Sequence, residues 1–264
     1  MFKTRLLSGI LLVIIALVTI ISGGDVLFAT VLLISLIGMM ELYRILDLHK
    51  TLPGIVGYVA AVLYYGLLRF ERMDMVMLLT IGFLIALLIV YVFSYPKYRS
   101  EQITLLFFGL FYVAFMLSYI YQIRTLPQGV FLVWLVFLCS WGCDTCAYCV
   151  GMLFGKHKMA PVLSPKKSVE GGIGGVAGAM LLGALYAALL NHFVPDTGAD
   201  VVRYALICGV GGVISQVGDL AASAIKRNHE IKDYGRLIPG HGGILDRFDS
   251  VIITAPIIFY LLAR

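Results

Sequence analysis

Apolar residues run through this chain in long blocks separated by short polar stretches. Nine such blocks, at 6–21, 26–40, 53–68, 75–93, 103–121, 130–150, 171–190, 201–225 and 251–262, predict nine helices. Gly23-Gly24-Asp25 predicts a tight turn between the first two, and residues 191–200, with Pro195 and Gly198, predict another connector. The last block is short, so its helix is expected to begin earlier, near Asp246 or Asp249. A membrane β-barrel would instead show segments of about 10 residues with alternating polarity, and none occur. The pattern therefore predicts an all-α polytopic membrane protein with about nine transmembrane helices.

Composition strengthens that reading. Of 264 residues 61% are hydrophobic and 13% charged, with mean hydropathy +0.97. Soluble domains carry about 25% charged residues. Met1 to Arg5 followed by block 6–21 has the outline of a secretory signal. The run is long for one, however, so it is expected to stay as the first membrane helix.

The net charge of +5 acquires meaning once the charges are placed. With nine spans, one face receives Lys3, Arg5, Arg44, Lys50, Lys97, Arg99, Lys156, Lys158, Lys166, Lys167, Lys226, Arg227, Lys232, Arg236 and Arg247. The other receives Arg69, Arg72, Arg124, Arg203 and Arg264, fifteen against five. Positive charge gathers on the cytoplasmic side, so the N-terminus is expected inside and the C-terminus outside. Basic residues placed this way belong to topology and polar loops, and no nucleic-acid partner is expected.

A composition shift predicts two regions. Residues 1–125 hold five helices rich in Leu, Ile, Val and Phe and are expected to be a transmembrane scaffold. Residues 126–264 hold helices rich in Gly, Ala, Ser and Cys, expected to be a close-packed catalytic bundle with cytoplasmic loops at 151–170 and 226–249. The small residues of helices seven and eight fit a homodimer interface and tight internal packing equally well. Cys139, Cys143, Cys146 and Cys149 have spacings that resemble a metal site. One straight helix face cannot make four thiolates converge, so they are expected to be packing residues.

Two acids stand inside apolar helices: Asp144 in helix six and Asp219 in helix eight. An intramembrane carboxylate costs about 2.5 kcal/mol or more at mid-bilayer, which points to function, with a buried structural partner as the alternative. Helical spacing sets Ser215, Gln216, Ser223 and Lys226 within about 60° of Asp219, and Tyr148 on the face of Asp144. Loop 155–172 brings four lysines, His157, Ser164, Ser168 and Glu170 to the start of a Gly-rich helix. Such an N-terminus suits phosphate, although positive-inside charge and a Ser168 cap also account for parts of it. Loop 226–249 combines Lys226, Arg227, Lys232, Arg236 and Arg247 with Asp246, Asp249 and the turn His241-Gly242-Gly243. Hard-oxygen ligands, phosphate-binding cations and a glycine turn together predict metal-assisted phosphoryl or nucleotidyl transfer. Neither a P-loop nor a dinucleotide fingerprint occurs.

These residues fall into a pattern that resembles the phosphatidate cytidylyltransferase (CDP-diacylglycerol synthase) family. The matching positions are Ser223-x-Ile225-Lys226-Arg227, Lys232-Asp233-x-Gly235, Ile238-Pro239-x-His241-Gly242-Gly243-Ile244 and Asp246-Arg247-Phe248-Asp249. Earlier come Asp144-Thr-x-Ala147-Tyr148 with Gly151, Phe154-Gly155-Lys156-x-Lys158 and Ser164-Pro165-x-Lys167-Ser168-x-Glu170-Gly171. The likeness covers roughly residues 140–250, and no charged position departs from it.

The resemblance implies attack of a phosphatidate phosphate oxygen on the α-phosphorus of CTP, giving CDP-diacylglycerol and pyrophosphate with Mg²⁺. By analogy with two-metal transfer, Asp219 and Asp246 are the first expected metal ligands, with Asp144 and Asp249 second. Lys167, Lys226, Arg227 and Arg247 are expected on phosphate oxygens, and His241 is expected to orient phosphate or assist pyrophosphate departure. Ser164, Glu170, Ser223, Lys232, Asp233, Gly242, Gly243 and Tyr148 complete the expected substrate contacts. The implied setting is the cell (inner) membrane with the site facing the cytoplasm. Two rivals remain: a CTP-dependent lipid or polyprenol kinase that releases CDP, and an ion-coupled transporter using Asp144 and Asp219.

Overall fold

The structure is a computed structural model that describes the backbone of residues 2–263 and side chains from residue 8 onward. The side chains of Lys3 and Arg5, and Arg264 as a whole, lie outside the described residues. The apolar blocks become helices α1 (Phe2–Ser22), α2 (Gly24–Arg44), α3 (Leu52–Arg69), α4 (Met73–Phe93), α5 (Ser100–Thr125) and α6 (Gly129–Phe154). They continue as α7 (Val169–Phe193), α8 (Val201–Asn228) and α9 (Leu245–Leu262). The last helix does begin ahead of its apolar block, at Leu245.

The structure departs from the expected nine spans. Among the described residues seven helices, α2 to α8, are long and apolar enough to cross a membrane. The described apolar part of α1 is Ser8–Ser22, and the 18-residue α9 carries Asp246, Arg247 and Asp249 in its first turns. Charges placed there keep α9 from reading as a span by composition. A second departure concerns the all-helical expectation. The basic stretch after α6 is a two-stranded antiparallel hairpin, β1 (Lys158–Ala160) and β2 (Ser164–Ser168), with Lys158 opposite Ser168 and Ala160 opposite Ser164. Pro165 is tolerated because a two-stranded ribbon has only edge strands. Ser168 then caps α7, its hydroxyl accepting the Gly171 N–H at 3.1 Å.

The chain packs as two compact units, Met1–Tyr121 with Asp233–Arg247, and Gln122–Lys232 with Phe248–Arg264. In the first, α2, α3 and α5 mesh through buried tyrosines. Tyr43 donates to the Leu106 carbonyl at 2.9 Å, and its ring fills the space beside Gly57 and Gly109. Tyr65 pairs with Ser35 and Tyr64 with Ser118, each at 2.8 Å. Such pairing is what makes buried hydroxyls affordable in an apolar bundle. On α4, by contrast, only Phe83 and Leu87 are buried, as expected of a helix turned to lipid.

The second unit is built on small residues. A side chain at Gly174 would strike Val150, at Gly178 Cys146, at Gly183 Cys208 and at Gly211 Cys139, so α6, α7 and α8 pack at backbone distance. Within α6 the segment Leu138–Gly142 widens into a π turn, which shifts the helical register just before Cys143 and Asp144. Of the cysteines on this helix, Cys139 and Cys143 are buried, Cys146 is half-buried and Cys149 is exposed.

Candidate active site

The second unit encloses a cavity of about 480 Å³ where the hairpin meets α6, α7 and α8. Asp144, Tyr148 and Gly151 line it from α6, one helical turn apart as their spacing predicts. The hairpin adds Met159, Ser164, Lys166 and Lys167, and α8 adds Gln216 and Asp219. The floor is the glycine pair Gly171-Gly172 at the start of α7. A Cβ at Gly172 would lie 2.1 Å from Met159 Cε and 2.9 Å from Gln216 Oε1, so the hairpin and α8 meet over that residue. Gln216 pins the seam by donating to the Gly172 carbonyl at 2.9 Å.

Lys167 Nζ forms an ion pair with Asp219 Oδ2, the two side chains being 26% and 24% exposed. A pair reached by solvent can exchange partners, unlike one sealed in a dry core. Two further acids stand near. Asp249, 9% exposed, lies within electrostatic range of Asp219, Asp144 and Lys226, and its Oδ1 accepts the Ser250 N–H at 2.8 Å. Ser250 Oγ in turn approaches Asp144 Oδ2 at 3.5 Å. The residue before Asp219 explains how α8 and α9 come so close: a Cβ at Gly218 would be 3.0 Å from the Asp249 carbonyl oxygen. Asp219 and Asp144, each on another helix, thus place like charge near the Asp249 carboxylate.

Other expected site residues of this unit have local roles. Glu170 accepts the Lys156 N–H at 3.0 Å and the His157 N–H at 3.2 Å, and pairs with His157 Nδ1 at 2.5 Å. It thereby fastens the entry to the hairpin onto the first turn of α7. Ser223 and Lys226 follow Asp219 along α8 half-buried, with Arg227 and Lys232 exposed beyond them.

The first unit holds Asp233 to Arg247 as a folded turn. Ile238 and Gly242 form a bridge, the Ile238 N–H donating to the Gly242 carbonyl at 2.8 Å. Gly242 has φ +86°, which glycine alone adopts without strain. Asp246 Oδ2 accepts the Tyr234 N–H at 2.8 Å and the Gly243 N–H at 3.0 Å, with the residue 5% exposed. His241 Nδ1 lies 2.8 Å from Ser8 Oγ, and Ser8 donates to the Pro239 carbonyl at 3.1 Å.

Glu41 is the residue the sequence reading passed over. It is 2% exposed on α2, and its carboxylate accepts the Ile244 N–H at 3.0 Å and the Leu245 N–H at 2.8 Å. Glu41 is an acid in an apolar helix, the same signal that singled out Asp144 and Asp219. The surrounding scaffold composition hid it. The glycine turn also differs from the expected open approach to a ligand. The space a Cβ would take at Gly243 holds the Glu41 carboxylate, and at Gly242 it holds Asp246 Oδ2.

Comparison with known proteins decides the family. The model of the Cytidylyltransferase family matches residues 3–264. The phosphatidate cytidylyltransferase of Bacillus subtilis is 32% identical over 272 residues, covering 99% of this chain and 97% of that protein. The Staphylococcus epidermidis enzyme of the same name is 33% identical, and that of Staphylococcus aureus 32%, each covering 99% of both chains. The chain belongs to the cytidylyltransferase family. Membership makes it a nucleotidyltransferase, which places it apart from a γ-phosphoryl kinase and from an ion-coupled transporter. The match also reaches the five N-terminal helices, where the motif resemblance did not extend.

A cytidylyltransferase must bring a nucleotide and an acceptor together, and the cavity offers chemistry suited to phosphate groups. Lys166 and Lys167 from the hairpin line it together with Asp144 and Asp219, and Tyr148 and Met152 add apolar surface. Among the described residues no three His, Cys, Asp or Glu side chains converge on a closed metal cage.

Proposed function

We propose that this protein transfers the cytidylyl group of CTP to phosphatidate, forming CDP-diacylglycerol and pyrophosphate for phospholipid synthesis. The observation that carries this is the Lys167–Asp219 pair on a cavity wall, with Asp144 and Asp249 in electrostatic range. A phosphatidate oxygen forms the new bond to the α-phosphorus as the α–β bridging P–O bond breaks, and pyrophosphate leaves with that electron pair. A phosphate monoester is already largely ionised near neutral pH, so no strong base is required. Lys167 moves from Asp219 to a phosphate oxygen, and Lys226 and Arg227 hold further oxygens from the end of α8. Ser164 and Tyr148 orient substrate from the cavity wall.

The donor set fits Mg²⁺. This ion takes one or two carboxylates and completes its shell with substrate phosphates and water, so an open pair of acids is what it needs. Asp219 is the first ligand, with Asp144 and Asp249 beside it. Asp246, whose Oδ2 already takes two amides, ranks behind them. Bound there, the ion would neutralise phosphate charge and help align the attacking and leaving oxygens.

The finer topology belongs to the same reading. We infer that α1 and α9 also enter the bilayer, giving nine spans with the N-terminus and the site cytoplasmic and the C-terminus outside. The fifteen-to-five placement of Lys and Arg supports it. Impermeant labelling of the 94–99 loop from the cytoplasmic side only would agree, and labelling from outside would reverse it.

The test is direct. Full-length protein in micelles, given phosphatidate, CTP and Mg²⁺, should release pyrophosphate and CDP-diacylglycerol in equal amounts. Release of CDP with a phosphorylated lipid would overturn the reading in favour of a kinase.

A further inference from the structure

Within the first unit, Glu41 reaches the turn from a helix 203 residues away in sequence. Its two oxygens take the successive amides of Ile244 and Leu245 at the opening of α9. Those amides have no acceptor within the helix, and a carboxylate there also matches the sign of the helix dipole. A local cap would satisfy them from within the turn, as Asp200 does at the start of α8; a remote acid holding both ties α2 to the turn. The neighbouring backbone is shaped around it. A Cβ at Gly235 would lie 2.2 Å from Glu41 Oε1, and one at Gly243 would lie 2.4 Å from each oxygen. Two glycines in the turn thus leave room for one side chain of the scaffold. With Gly243 N–H held by Asp246, the amides of residues 243, 244 and 245 all end on carboxylates.

We propose that Glu41 is a positioning residue for cytidylyl transfer, fixing the path of residues 241–247 and so the placement of His241, Asp246 and Arg247. The proposal rests on the cytidylyl-transfer reading above and on the family resemblance, which implies that His241, Asp246 and Arg247 serve the transfer. Glu41 touches no substrate; it acts through the backbone it holds. Glutamine at this position keeps the shape but presents an N–H₂ group to one of the two amides, so a donor meets a donor. Aspartate keeps the charge with a shorter reach.

The experiment compares Glu41→Gln, Glu41→Asp and Asp219→Asn in the full-length protein in micelles, by steady-state kinetics and by hydrogen–deuterium exchange. Glu41→Gln is expected to lower kcat between about 10- and 100-fold, with both KM values within about threefold of the parent. Amide exchange should quicken in the peptide covering 238–247 and stay unchanged in α7 and α8. Glu41→Asp should recover part of the lost kcat and part of the protection. Native kcat and native exchange in Glu41→Gln would overturn the proposal. So would faster exchange throughout α7 and α8 in both Glu41 variants, which would make Glu41 a determinant of the fold alone. Asp219→Asn separates the two readings. If it stays active the site assignment itself fails; if it is inactive while Glu41→Gln is fully active, only the positioning role fails.

Discussion

The two units of this enzyme use buried acids in opposite ways. In the second, Asp219 is about a quarter exposed and pairs with a lysine side chain on a cavity wall. In the first, Glu41 and Asp246 are 2% and 5% exposed and are engaged by backbone amides. An ammonium group on a flexible stem can be exchanged for a metal ion or released to a phosphate. A backbone amide in a folded turn cannot leave. The partners differ in kind: Asp219 faces a cation on a flexible stem that a reacting group can displace, whereas Glu41 is held by two fixed amides.

The comparison breaks first at Asp219. Asp219→Asn keeps the volume and removes the charge, and turnover with Mg²⁺, CTP and phosphatidate should fall about 1,000-fold, as for loss of a group acting directly on transition-state charge. Retention of near-native turnover would falsify its assignment as the reactive acid. The next effect is expected in the other unit, where shape is at stake. Gly243 has no positive φ, so alanine suits its backbone, yet its Cβ would meet both Glu41 oxygens at 2.4 Å. Gly243→Ala should displace the turn and lower kcat about 100-fold, the scale set by misplacing catalytic groups by about 1 Å. An unchanged rate would show that the turn tolerates such a shift.

Much of the architecture was legible in the sequence because membrane insertion writes long apolar blocks. Each of the nine blocks lies within a helix of the structure, and the early start of α9 followed from its short block. Legibility failed where contacts are non-local. The basic stretch 158–168 offered no alternation long enough to predict a hairpin, since its strands have three and five residues. The π turn at Leu138–Gly142 has no signature that a regular helical wheel can detect. Asp144, Tyr148, Ser164 and Lys167 were expected from one motif pattern and Asp219 as an acid within an apolar helix, and the structure brings them to one cavity. Ser8 and Glu41 were invisible for the opposite reason: each acts more than 200 residues away along the chain. A lone serine or glutamate in an apolar helix carries no spacing relation to the turn it holds.

Glu170 tests the boundary between the two kinds of acid. It pairs with a histidine side chain and also takes two amides, at the surface. Glu170→Gln should leave folding intact and loosen the hairpin entry that carries Lys167. The expected result is a rise of about 10-fold in the KM for CTP with a smaller change in kcat, since phosphate binding and not chemistry is weakened. A fall in kcat as large as that of Asp219→Asn would move Glu170 to the reactive class.

The smallest effect is expected at Ser8, the second tie from the N-terminal helices to the turn. Its hydroxyl donates to Pro239 and meets His241 Nδ1. With that proton on Pro239, the hydroxyl accepts from His241, which favours the tautomer carrying hydrogen on Nδ1. Ser8→Ala removes one neutral hydrogen bond to the ring, worth about 1 kcal/mol, so the rate should fall about fivefold. An unchanged rate in Ser8→Ala would show that neither its Pro239 nor its His241 contact bears on turnover. Ser8→Thr keeps the hydroxyl and should stay within about twofold of the parent, because the β-methyl is the only addition.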